Sequence, residues 1–428
     1  MNDYTVQSAA GLRGVITVPG DKSISHRSIM FGALANGTTV IRGFLRGEDT
    51  ISTLRAFRDM GVDACDDGDT VRIRGAGLHG LKEPEDVLDC GNSGTSMRLL
   101  AGLLAGQDFF SVLTGDRYLR NRPMGRVIKP LAGMGATLFG REGGSRAPLA
   151  VQGHKLKGIR FDSPVASAQV KSAILLAGLY ADGETSVTEP FLSRDHSERM
   201  LSYFGADIEP LPNGARIRGG KGLEGQEVLV PGDISSAAFF IVAALLVPDS
   251  ELLIEGVGMN PTRTGVIDIL LQMGASIEQL NPRVVSGEPI ADLLVRSSSL
   301  HGIDIGGELV PRAIDEFPII FVAAAHAEGK TVLRDARELR VKETDRIAAM
   351  ARNLSGDGAD VVETEDGMEI TGGGRLSGGA FDSFGDHRIA MSMLIAGLVS
   401  RGTTTVNNVG CVSTSFPSFF HLLEGVRG

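Results

Sequence analysis

The sequence is built from one pattern that recurs six times. An Ala-rich apolar segment with helical spacing leads to a small turn residue, and a run of β-favouring residues follows. The turn residues lie 67–79 residues apart, and they are Gly37, Gly106, Gly183, Ser250, Gly329 and Gly402. Six units of about 71 residues fill the 428 residues, so the fold is predicted to be assembled from copies of one small α/β unit.

A second element recurs inside the units as a helix, a glycine and a strand. Its glycines are Gly61, Gly135, Gly205 and Gly274, with a looser fifth copy at Gly358. Glycine directly after a helix ends it, because glycine accepts the positive φ of a C-terminal cap. Each unit is therefore predicted to be β-α-β-α followed by a β-hairpin, with two amphipathic helices packed on sheets.

A larger duplication divides the chain into halves. The segment Val18–Ser23 (VPGDKS) is echoed 212 residues later by Val230–Ser235 (VPGDIS). Three units lie between the two copies and three after the second. We therefore predict two similar three-unit domains, one discontinuous (residues 1–20 plus 233–428) and one inserted (residues 21–232), with the chain crossing between them at these two segments.

Composition and charge narrow the function classes. Hydrophobic residues make up 42% and charged residues 22%, the balance of a globular protein. The net charge of −10 argues against a nucleic-acid-binding surface, although it is compatible with a local cationic pocket. Cys65, Cys90 and Cys411 are scattered, so neither a disulfide framework nor a zinc site is indicated. Without a signal pattern or a long apolar segment, we expect a cytoplasmic protein that binds no membrane.

One glycine-rich segment imitates a nucleotide-binding fingerprint. Gly75–Gly80 matches G-x-G-x-x-G, but that motif functions only at a turn from a strand into a helix. The residues that follow, Leu81–Pro84, are a poor helix start. We interpret the segment as the end of a hairpin strand.

The strongest candidate site in the first half is Lys22–Arg27, which follows a Pro-Gly turn and opens the first repeat helix. Ser23 and Arg27 are four residues apart, so they share a helix face. Hydroxyl, ammonium and guanidinium groups near a helix N-terminus suit a phosphate or carboxylate. The alternative is a capped, solvated turn. The second-half copy, Asp233–Ser236, keeps the cap but has neither charge, which favours function in the first copy.

Three further segments of the first half are candidates with ordinary structural alternatives. Gly91–Ser96 precedes a helix predicted from Met97, and its small residues let backbone N–H groups approach an anion. Arg120–Pro123 is a basic loop, and Ser167–Lys171 opens another repeat helix with groups that can hydrogen-bond a sugar-like ring. The alternatives are a turn, an exposed loop and a capped helix.

The second half contributes three charged segments at predicted helix starts. Asp315–Pro318 provides an acid that is either a helix cap or a base facing a cleft. In Arg340–Arg346, Lys342 and Arg346 are four apart and predicted to share a face, with Glu343 adjacent; the alternative is a salt-bridged surface helix. In Asp386–Arg388, His387 is more consistent with a structural than a catalytic role.

Taken together, these segments predict a cationic pocket where helix N-termini of both halves converge. Its members would be Lys22, Arg27, Arg122, Lys342, Arg346 and Arg388. Because such a cluster is costly unless anions occupy it, the ligands are expected to carry phosphate and carboxylate groups.

With these residues in hand, the whole sequence resembles the enolpyruvyl transferase family, specifically its 5-enolpyruvylshikimate-3-phosphate synthases (3-phosphoshikimate 1-carboxyvinyltransferases). The most specific segments are Pro19–Arg27, Gly91–Thr95, Val341–Arg346 and Asp386–Arg388. The resemblance implies an α/β fold of two similar domains, each with three β-α-β-α-β-β repeats (inverse α/β barrel type), and an active site in the interdomain cleft. Two positions depart from some members: Thr414 replaces a lysine and Glu338 an asparagine.

The resemblance also implies a reaction. The enolpyruvyl group of phosphoenolpyruvate would be transferred to the 5-hydroxyl of shikimate 3-phosphate, and phosphate would leave through a tetrahedral intermediate. This step leads toward chorismate and aromatic amino acids and needs no organic cofactor or metal. We expect a cytoplasmic monomer with these two small molecules as its substrates.

Site residues carry over from the family by matching position. Asp315 would be the general base and Glu343 the acid that protonates the methylene carbon, with Lys22 a rival for that second role. The residues implied for shikimate 3-phosphate are Lys22, Ser23, Arg27, Ser167, Gln169, Arg194, Asp315 and Lys342. Those implied for phosphoenolpyruvate are Lys22, Gly94, Arg122, Gln169, Arg346 and Arg388.

Two other functions remain open from the sequence. The related transferase that acts on UDP-N-acetylglucosamine shares the fold but usually carries a reactive cysteine in a mobile loop. Neither Cys90, before the glycine turn, nor Cys411, in the C-terminal segment, lies in such a polar, basic loop. A non-catalytic phosphometabolite-binding protein would keep the basic cluster but would not need Asp315 and Glu343.

Overall fold

The chain divides into two α/β units, each with its own hydrophobic core. The computed structural model describes residues 2–374 and 376–427. The inserted unit comprises Gly20–Val230 and Val285–Glu288, and the discontinuous unit comprises Met1–Pro19, Pro231–Val284 and Pro289–Gly428. The predicted boundaries differ at three places. Gly20 and the hairpin tip Val285–Glu288 are predicted to belong to the discontinuous domain, and residues 231–232 to the inserted one.

The helices of the two units follow the predicted repeat. In chain order they are α1 (Lys22–Leu34), α2 (Glu48–Asp59), α3 (Gly94–Ala105), α4 (Gly125–Gly133), α5 (Ala168–Gly178), α6 (His196–Tyr203), α7 (Ile234–Leu246), α8 (Gly265–Gln272), α9 (Leu309–Ala313), α10 (Phe317–His326), α11 (Arg346–Gly356), α12 (His387–Gly397) and α13 (Phe419–Val426). Short 3₁₀ helices span Leu119–Asn121, Arg337–Val341 and Val409–Thr414.

The strands are short, and most belong to three- or four-stranded sheets. In chain order they are β1 (Asp3–Val6), β2 (Arg13–Thr17), β3 (Ala35–Asn36), β4 (Thr38–Arg42), β5 (Asp63–Asp66), β6 (Thr70–Arg74), β7 (Leu88–Asp89), β8 (Phe110–Thr114), β9 (Thr137–Arg141), β10 (Arg146–Gln152), β11 (Arg160–Asp162), β12 (Glu184–Thr188), β13 (Asp207–Leu211), β14 (Gly214–Arg218), β15 (Leu223–Glu224), β16 (Glu227–Leu229), β17 (Glu251–Gly258), β18 (Ser276–Val285), β19 (Glu288–Arg296), β20 (Asp304–Ile305), β21 (Lys330–Leu333), β22 (Asp360–Glu363), β23 (Met368–Thr371), β24 (Gly379–Asp382) and β25 (Thr404–Asn407).

Three four-stranded sheets surround the core of the inserted unit. Their strand orders are β16-β4-β6-β5, β7-β8-β10-β9 and β11-β12-β14-β13. In each sheet the first pair is parallel, as a crossover through a helix requires, and the hairpin adds antiparallel strands. In the first sheet the outer parallel strand, β16, comes from the end of the unit rather than from its start.

The discontinuous unit repeats this plan with one variation. Its sheets have the orders β18-β19-β17-β2, β20-β21-β23-β22 and β1-β25-β24. In the last sheet, β25 is followed by α13, and β1 from the N-terminus supplies the antiparallel partner. The predicted fold class, two α/β units of three repeats each, is confirmed, although the sixth repeat lacks its own hairpin within the described residues.

The Ala-rich repeat helices lie inside the units. Helices α1, α3 and α5 of the inserted unit, and α7, α10 and α12 of the discontinuous unit, are buried along nearly their whole length. Helices that are apolar on nearly all sides, such as α7 and α10, are expected to be buried, whereas α2 and α11 carry polar residues on an outer face. Among residues 2–374 and 376–427, no helix is long and apolar enough to cross a membrane.

The predicted glycine turns adopt the expected backbone conformation. After the second helix of a repeat, φ is +83° at Gly61, +96° at Gly135, +91° at Gly205 and +97° at Gly274. The looser copy at Gly358 has a φ of +98°. A side chain at any of these positions would be strained, because L-residues rarely adopt this conformation. The segment Gly75–Gly80 directly follows hairpin strand β6, and no helix begins there.

Close helix packing in the inserted unit predicts a large effect at Gly102. A Cβ atom there would lie 2.1 Å from the carbonyl oxygen of Ala173 on α5. Gly102→Ala should therefore force α3 and α5 apart and destabilise the unit by about 1–3 kcal/mol. Gly133→Ala, at the exposed end of α4 with nothing within 4 Å, is the matched control and should be neutral or slightly stabilising. Urea unfolding measures both, and equal midpoints would contradict the packing argument.

Candidate active site

The predicted site residues of the inserted unit lie at the N-terminal ends of its buried helices. Asp21 caps α1 by accepting the N–H of Ile24 at 2.9 Å, so Lys22 and Ser23 occupy the first turn. The Lys22 ammonium lies 2.8 Å from Asp49 at the start of α2 and keeps a partly exposed side chain. This arrangement presents a cation at a helix N-terminus, where an anion is also favoured by the helix dipole.

Arg27 is buried and held by neutral acceptors. Its Nη1 donates to the backbone oxygen of Ser23 at 3.0 Å, which confirms that the two residues share a helix face. Its Nε and Nη2 each donate over 2.8 Å, to the hydroxyls of Ser197 and Ser172. Burial lowers the pKa of Arg27 to about 10, while Glu198 and Asp21 oppose that shift. An anionic ligand would therefore offset a real desolvation cost.

A second cluster of the inserted unit gathers around Gly94, the first residue of α3. Ser93 caps this helix by accepting the N–H of Ser96 at 3.1 Å. A Cβ atom at Gly94 would lie 2.9 Å from Nη1 of Arg122 and 3.3 Å from Nη1 of Arg98. The absence of a side chain therefore lets two guanidinium groups approach the helix N-terminus, a strongly anion-attracting combination.

Gln169 joins this cluster from α5. Its Nε2 donates to the hydroxyl of Thr95 at 2.9 Å, and its Oε1 accepts a hydrogen bond from Nη1 of Arg98. Arg122 donates to Oδ1 of Asn92 at 2.7 Å. The structure thus brings together Gly94, Arg122 and Gln169, which the sequence placed in three separate segments.

Ser167 and Arg194 flank the same helix. Ser167 is the N-cap residue of α5, but its hydroxyl makes no capping hydrogen bond, in contrast to the side chains that cap α1 and α3. Arg194 is half-buried, and its charge lowers the pKa of Arg27, so the two cations are close neighbours. Both observations fit a site for a polar, anionic ligand.

In the discontinuous unit, Arg346 is the centre of a carboxylate cluster. Its side chain is 1% exposed and begins α11, which Asp345 caps. The Nη1 atom lies 3.2 Å from Asp315, Nη2 donates to Glu343 at 2.6 Å, and Nε donates to Asp386 at 2.8 Å. Burial alone would lower the pKa of Arg346, but these three carboxylates raise it above its ordinary value.

Asp315 receives further cations. Nζ of Lys342 lies 3.5 Å from one carboxylate oxygen, and Nη2 of Arg388 lies 3.9 Å from the other. Arg388 also donates to the backbone oxygen of Asp315 at 3.0 Å. The N-cap residue of α10 is Glu316, and its side chain makes no capping hydrogen bond.

Two helices begin at other residues than the sequence predicts. Lys342 and Arg346 do not share a helix face, because Lys342 follows the 3₁₀ helix Arg337–Val341 and α11 begins only at Arg346. Helix α3 begins at Gly94 rather than at Met97. In both cases the first helical residue depends on which residue is the N-cap, Ser93 for α3 and Asp345 for α11. The polar or glycine-rich sequence before each helix does not show which residue that is.

The expected excess of cations is also wrong in part. Lys22 pairs with Asp49, and Arg346 pairs with Asp315, Glu343 and Asp386. The protein's own carboxylates therefore balance much of the charge, and the inference that only bound anions make the cations tolerable does not hold for these two.

Sequence reasoning did not single out Arg98 or assign a role to Lys171. Both are charged residues in otherwise apolar, buried helices, α3 and α5. Such a residue needs partners, because an unpaired buried charge is very costly. A charged residue in an otherwise apolar repeat helix is therefore the sequence feature that identifies both as candidates.

The amino-acid sequence also matches a family of known proteins. The family model described as EPSP synthase (3-phosphoshikimate 1-carboxyvinyltransferase) matches residues 6–423. The chain belongs to the EPSP synthase family. This identification confirms the predicted enzyme of the shikimate pathway and decides against the UDP-N-acetylglucosamine transferase.

Relatives of the EPSP synthase family match the chain along its whole length. The 3-phosphoshikimate 1-carboxyvinyltransferase of Geotalea uraniireducens is 71% identical, over 100% of this chain and 99% of the relative. That of Geobacter metallireducens is 69% identical with the same coverage. The solved EPSP synthase of Acinetobacter baumannii is 51% identical, with a TM-score of 0.90 over 100% of this chain and 98% of its own.

Metal ligands were not expected for an EPSP synthase family member. Among residues 2–374 and 376–427, no group of three or more His, Cys, Asp or Glu side chains is arranged to hold a metal ion.

His26, in one of the four segments that carry the family resemblance, is a structural residue. Its ring is fully buried, with Nδ1 2.8 Å from the hydroxyl of Thr53 and Nε2 3.5 Å from that of Ser93. Burial, reinforced by the charges of Lys22 and Arg27, lowers the pKa of His26 well below 6.5. The neutral ring thus connects α1 and α2 to the cap of α3.

This low pKa of His26 predicts a pH-dependent stability. The unfolded chain takes up a proton on this ring below pH 6.5 and the folded chain does not, so stability is complete above pH 6.5 and falls as the pH drops. The slope contributed by one such proton approaches about 1.4 kcal/mol per pH unit. His26→Gln should be less stable at pH 7.5 but show a shallower pH slope in urea unfolding between pH 5.5 and 7.5. Parallel slopes would contradict the assignment.

Proposed function

We propose that the chain catalyses its family's reaction with the residues described above in defined roles. The enolpyruvyl group of phosphoenolpyruvate is transferred to the 5-hydroxyl of shikimate 3-phosphate, and inorganic phosphate is released. The observation that carries the proposal is Arg346, which lies within hydrogen-bonding distance of both Asp315 and Glu343. One cation thus holds the proposed base and the proposed acid close together.

Shikimate 3-phosphate is assigned mainly to the inserted unit. Arg27 and Arg194 supply charge for its phosphate, and the hydroxyls of Ser23 and Ser167 with the amide of Gln169 supply partners for its ring substituents. Support comes from the buried Arg27, whose direct acceptors are neutral groups, and from the Ser167 hydroxyl, which makes no cap. Lys22, Asp315 and Lys342 complete the proposed set.

Phosphoenolpyruvate is assigned to residues of both units. Gly94 and Arg122 offer a helix N-terminus with an adjacent guanidinium, and Gln169 and Lys22 are added to them. Arg346 and Arg388 supply further cations. Because Arg346 already binds carboxylates, an anionic substrate would compete with Asp315 and Glu343 for its donors. Binding would thereby loosen the two groups that the chemistry uses.

The chemical step follows from these roles. Asp315 accepts the proton of the 5-hydroxyl as its oxygen attacks C2 of phosphoenolpyruvate, and Glu343 donates a proton to the methylene carbon. The resulting tetrahedral adduct loses a proton from the new methyl group and expels phosphate, which restores the enol ether. Lys22 is the alternative acid, and its ammonium, paired with Asp49 at 2.8 Å, lies beside the start of α2.

The proposal includes a monomer in the cytoplasm. Each unit closes its own hydrophobic core, which supports a monomer. Cys65, Cys90 and Cys411 are free thiols, and the relatives are bacterial biosynthetic enzymes, which supports a reducing compartment.

Phosphate release tests the reaction directly. The purified protein should release phosphate only when phosphoenolpyruvate and shikimate 3-phosphate are both present, because the leaving group departs from their adduct. Each substrate is omitted in turn as the control, and UDP-N-acetylglucosamine replaces shikimate 3-phosphate in a further reaction. Release of phosphate with the sugar nucleotide as acceptor would overturn the proposal, and so would release when no acceptor is present.

Neutral variants of the two carboxylates test the roles. Asp315→Asn and Glu343→Gln should each lower kcat by about 10²–10⁴-fold, since each removes a general acid or base. Binding of shikimate 3-phosphate by calorimetry should change far less. Glu363→Gln is the matched control, because Glu363 is an exposed carboxylate of the same unit that pairs with Arg340 at 2.9 Å. Unchanged kcat in either active-site variant would refute its assignment.

A further inference from the structure

A buried ion cluster underlies the proposed shikimate 3-phosphate residues. Lys171 on α5 has a fully buried side chain, and its ammonium lies 3.0 Å from Glu189 and 2.8 Å from Glu198. It also donates to the backbone oxygen of Ser193 at 3.2 Å. Lys171, Glu189 and Glu198 are here called the buried triad. None of them was assigned to the substrate site above.

Glu189 connects the triad to two proposed binding residues. One carboxylate oxygen accepts the backbone N–H of Ser167 at 2.6 Å. The two oxygens also accept the hydroxyl of Ser193, at 2.9 and 2.7 Å, and one accepts its N–H at 3.2 Å. Ser193 directly precedes Arg194. The carboxylate of Glu189 therefore fixes two loops. One ends at Ser167 before α5 and is here called the Ser167 loop; the other contains Ser193 and Arg194 before α6 and is here called the Arg194 loop.

Lys171 and Glu198 are each adjacent in sequence to a serine that binds Arg27. Ser172 follows Lys171 and Ser197 precedes Glu198, and these two hydroxyls accept the hydrogen bonds of Arg27. Ser197 also donates to Ser172 at 2.7 Å. Glu198 makes no hydrogen bond to the Ser167 or Arg194 loops among those the structure shows, which distinguishes it from Glu189.

Stability alone does not account for the triad. Helix α5 is otherwise apolar, and replacing buried ion pairs by hydrophobic residues is often neutral or stabilising. Burial alone would lower the pKa of Lys171, but Glu198 and Glu189 raise it above its ordinary value, while burial raises the pKa of Glu198 in turn. A charged pair does, however, fix direction and distance in a way that apolar packing does not.

We propose that Lys171 and Glu189 are positioning residues that place Ser167 and Arg194 for shikimate 3-phosphate. They act through hydrogen bonds to the two loops and do not touch the substrate. The inference rests on the proposed function, because it needs shikimate 3-phosphate to be the ligand of this half of the protein. It predicts a selective loss of affinity for one of the two substrates.

The test compares two variants with the same chemical change. Glu189→Gln places an amide against the Lys171 ammonium and removes one acceptor from the loops, so the Kd and KM for shikimate 3-phosphate should rise by about tenfold or more. The KM for phosphoenolpyruvate should change by less than about threefold. Glu198→Gln also removes a carboxylate charge that faces Lys171, but it leaves the hydrogen bonds of Glu189 to both loops unchanged. It should leave the Kd for shikimate 3-phosphate within about twofold, or lower it, because the negative charge of Glu198 also acts on Arg27, whose pKa it raises.

A third variant guards against loss of folding. Glu189→Asp keeps the charge but withdraws the oxygens from the loops, so it should fold and still weaken shikimate 3-phosphate binding. Equal affinities of Glu189→Gln and Glu198→Gln, or an unchanged affinity in Glu189→Asp, would overturn the positioning role. Failure of the wild-type protein to bind shikimate 3-phosphate would instead refute the proposed function, and calorimetry on the wild type separates the two failures.

Discussion

The buried guanidinium of Arg346 is the interaction on which the discontinuous unit's functional surface depends. A charge that is 1% exposed requires partners, and it takes them from three different segments: Asp315 before α10, Glu343 before α11 and Asp386 at the cap of α12. These segments are far apart in sequence. Satisfying one cation therefore gathers the N-terminal ends of three repeat helices, together with the groups proposed as acid and base.

The inserted unit solves the same problem differently. Arg27 is buried against two hydroxyls and a backbone oxygen, so its direct acceptors are neutral. Of the unit's carboxylates, Asp49 pairs with Lys22, while Glu189 and Glu198 pair with the buried Lys171 of α5. The discontinuous unit thus surrounds Arg346 with carboxylates, whereas in the inserted unit Arg27 is held by neutral groups and the carboxylate of Glu189 holds two loops.

Much of the fold was predictable because the repeat is encoded by residues with strong local effects. Glycines after helices, such as Gly61 and Gly358, adopt the positive φ that ends those helices, and the apolar repeat helices are buried as their composition requires. The sixth repeat could not be predicted, because its missing strand comes from β1 at the other end of the chain. Helix boundaries failed at Gly94 and Lys342, where the choice of capping residue decides the first turn.

The amino-acid sequence by itself determined the six repeats, the family and the placing of charged residues at helix starts, since these depend on local backbone preferences and on motifs that are contiguous in the chain. Tertiary structure alone decided which charges pair. Lys22 with Asp49, Arg346 with three carboxylates, and Lys171 with Glu189 and Glu198 join residues from separate segments. The physical reason is burial: the energy of an ion pair depends on distance and on exclusion of water, and neither is defined until the helices have packed.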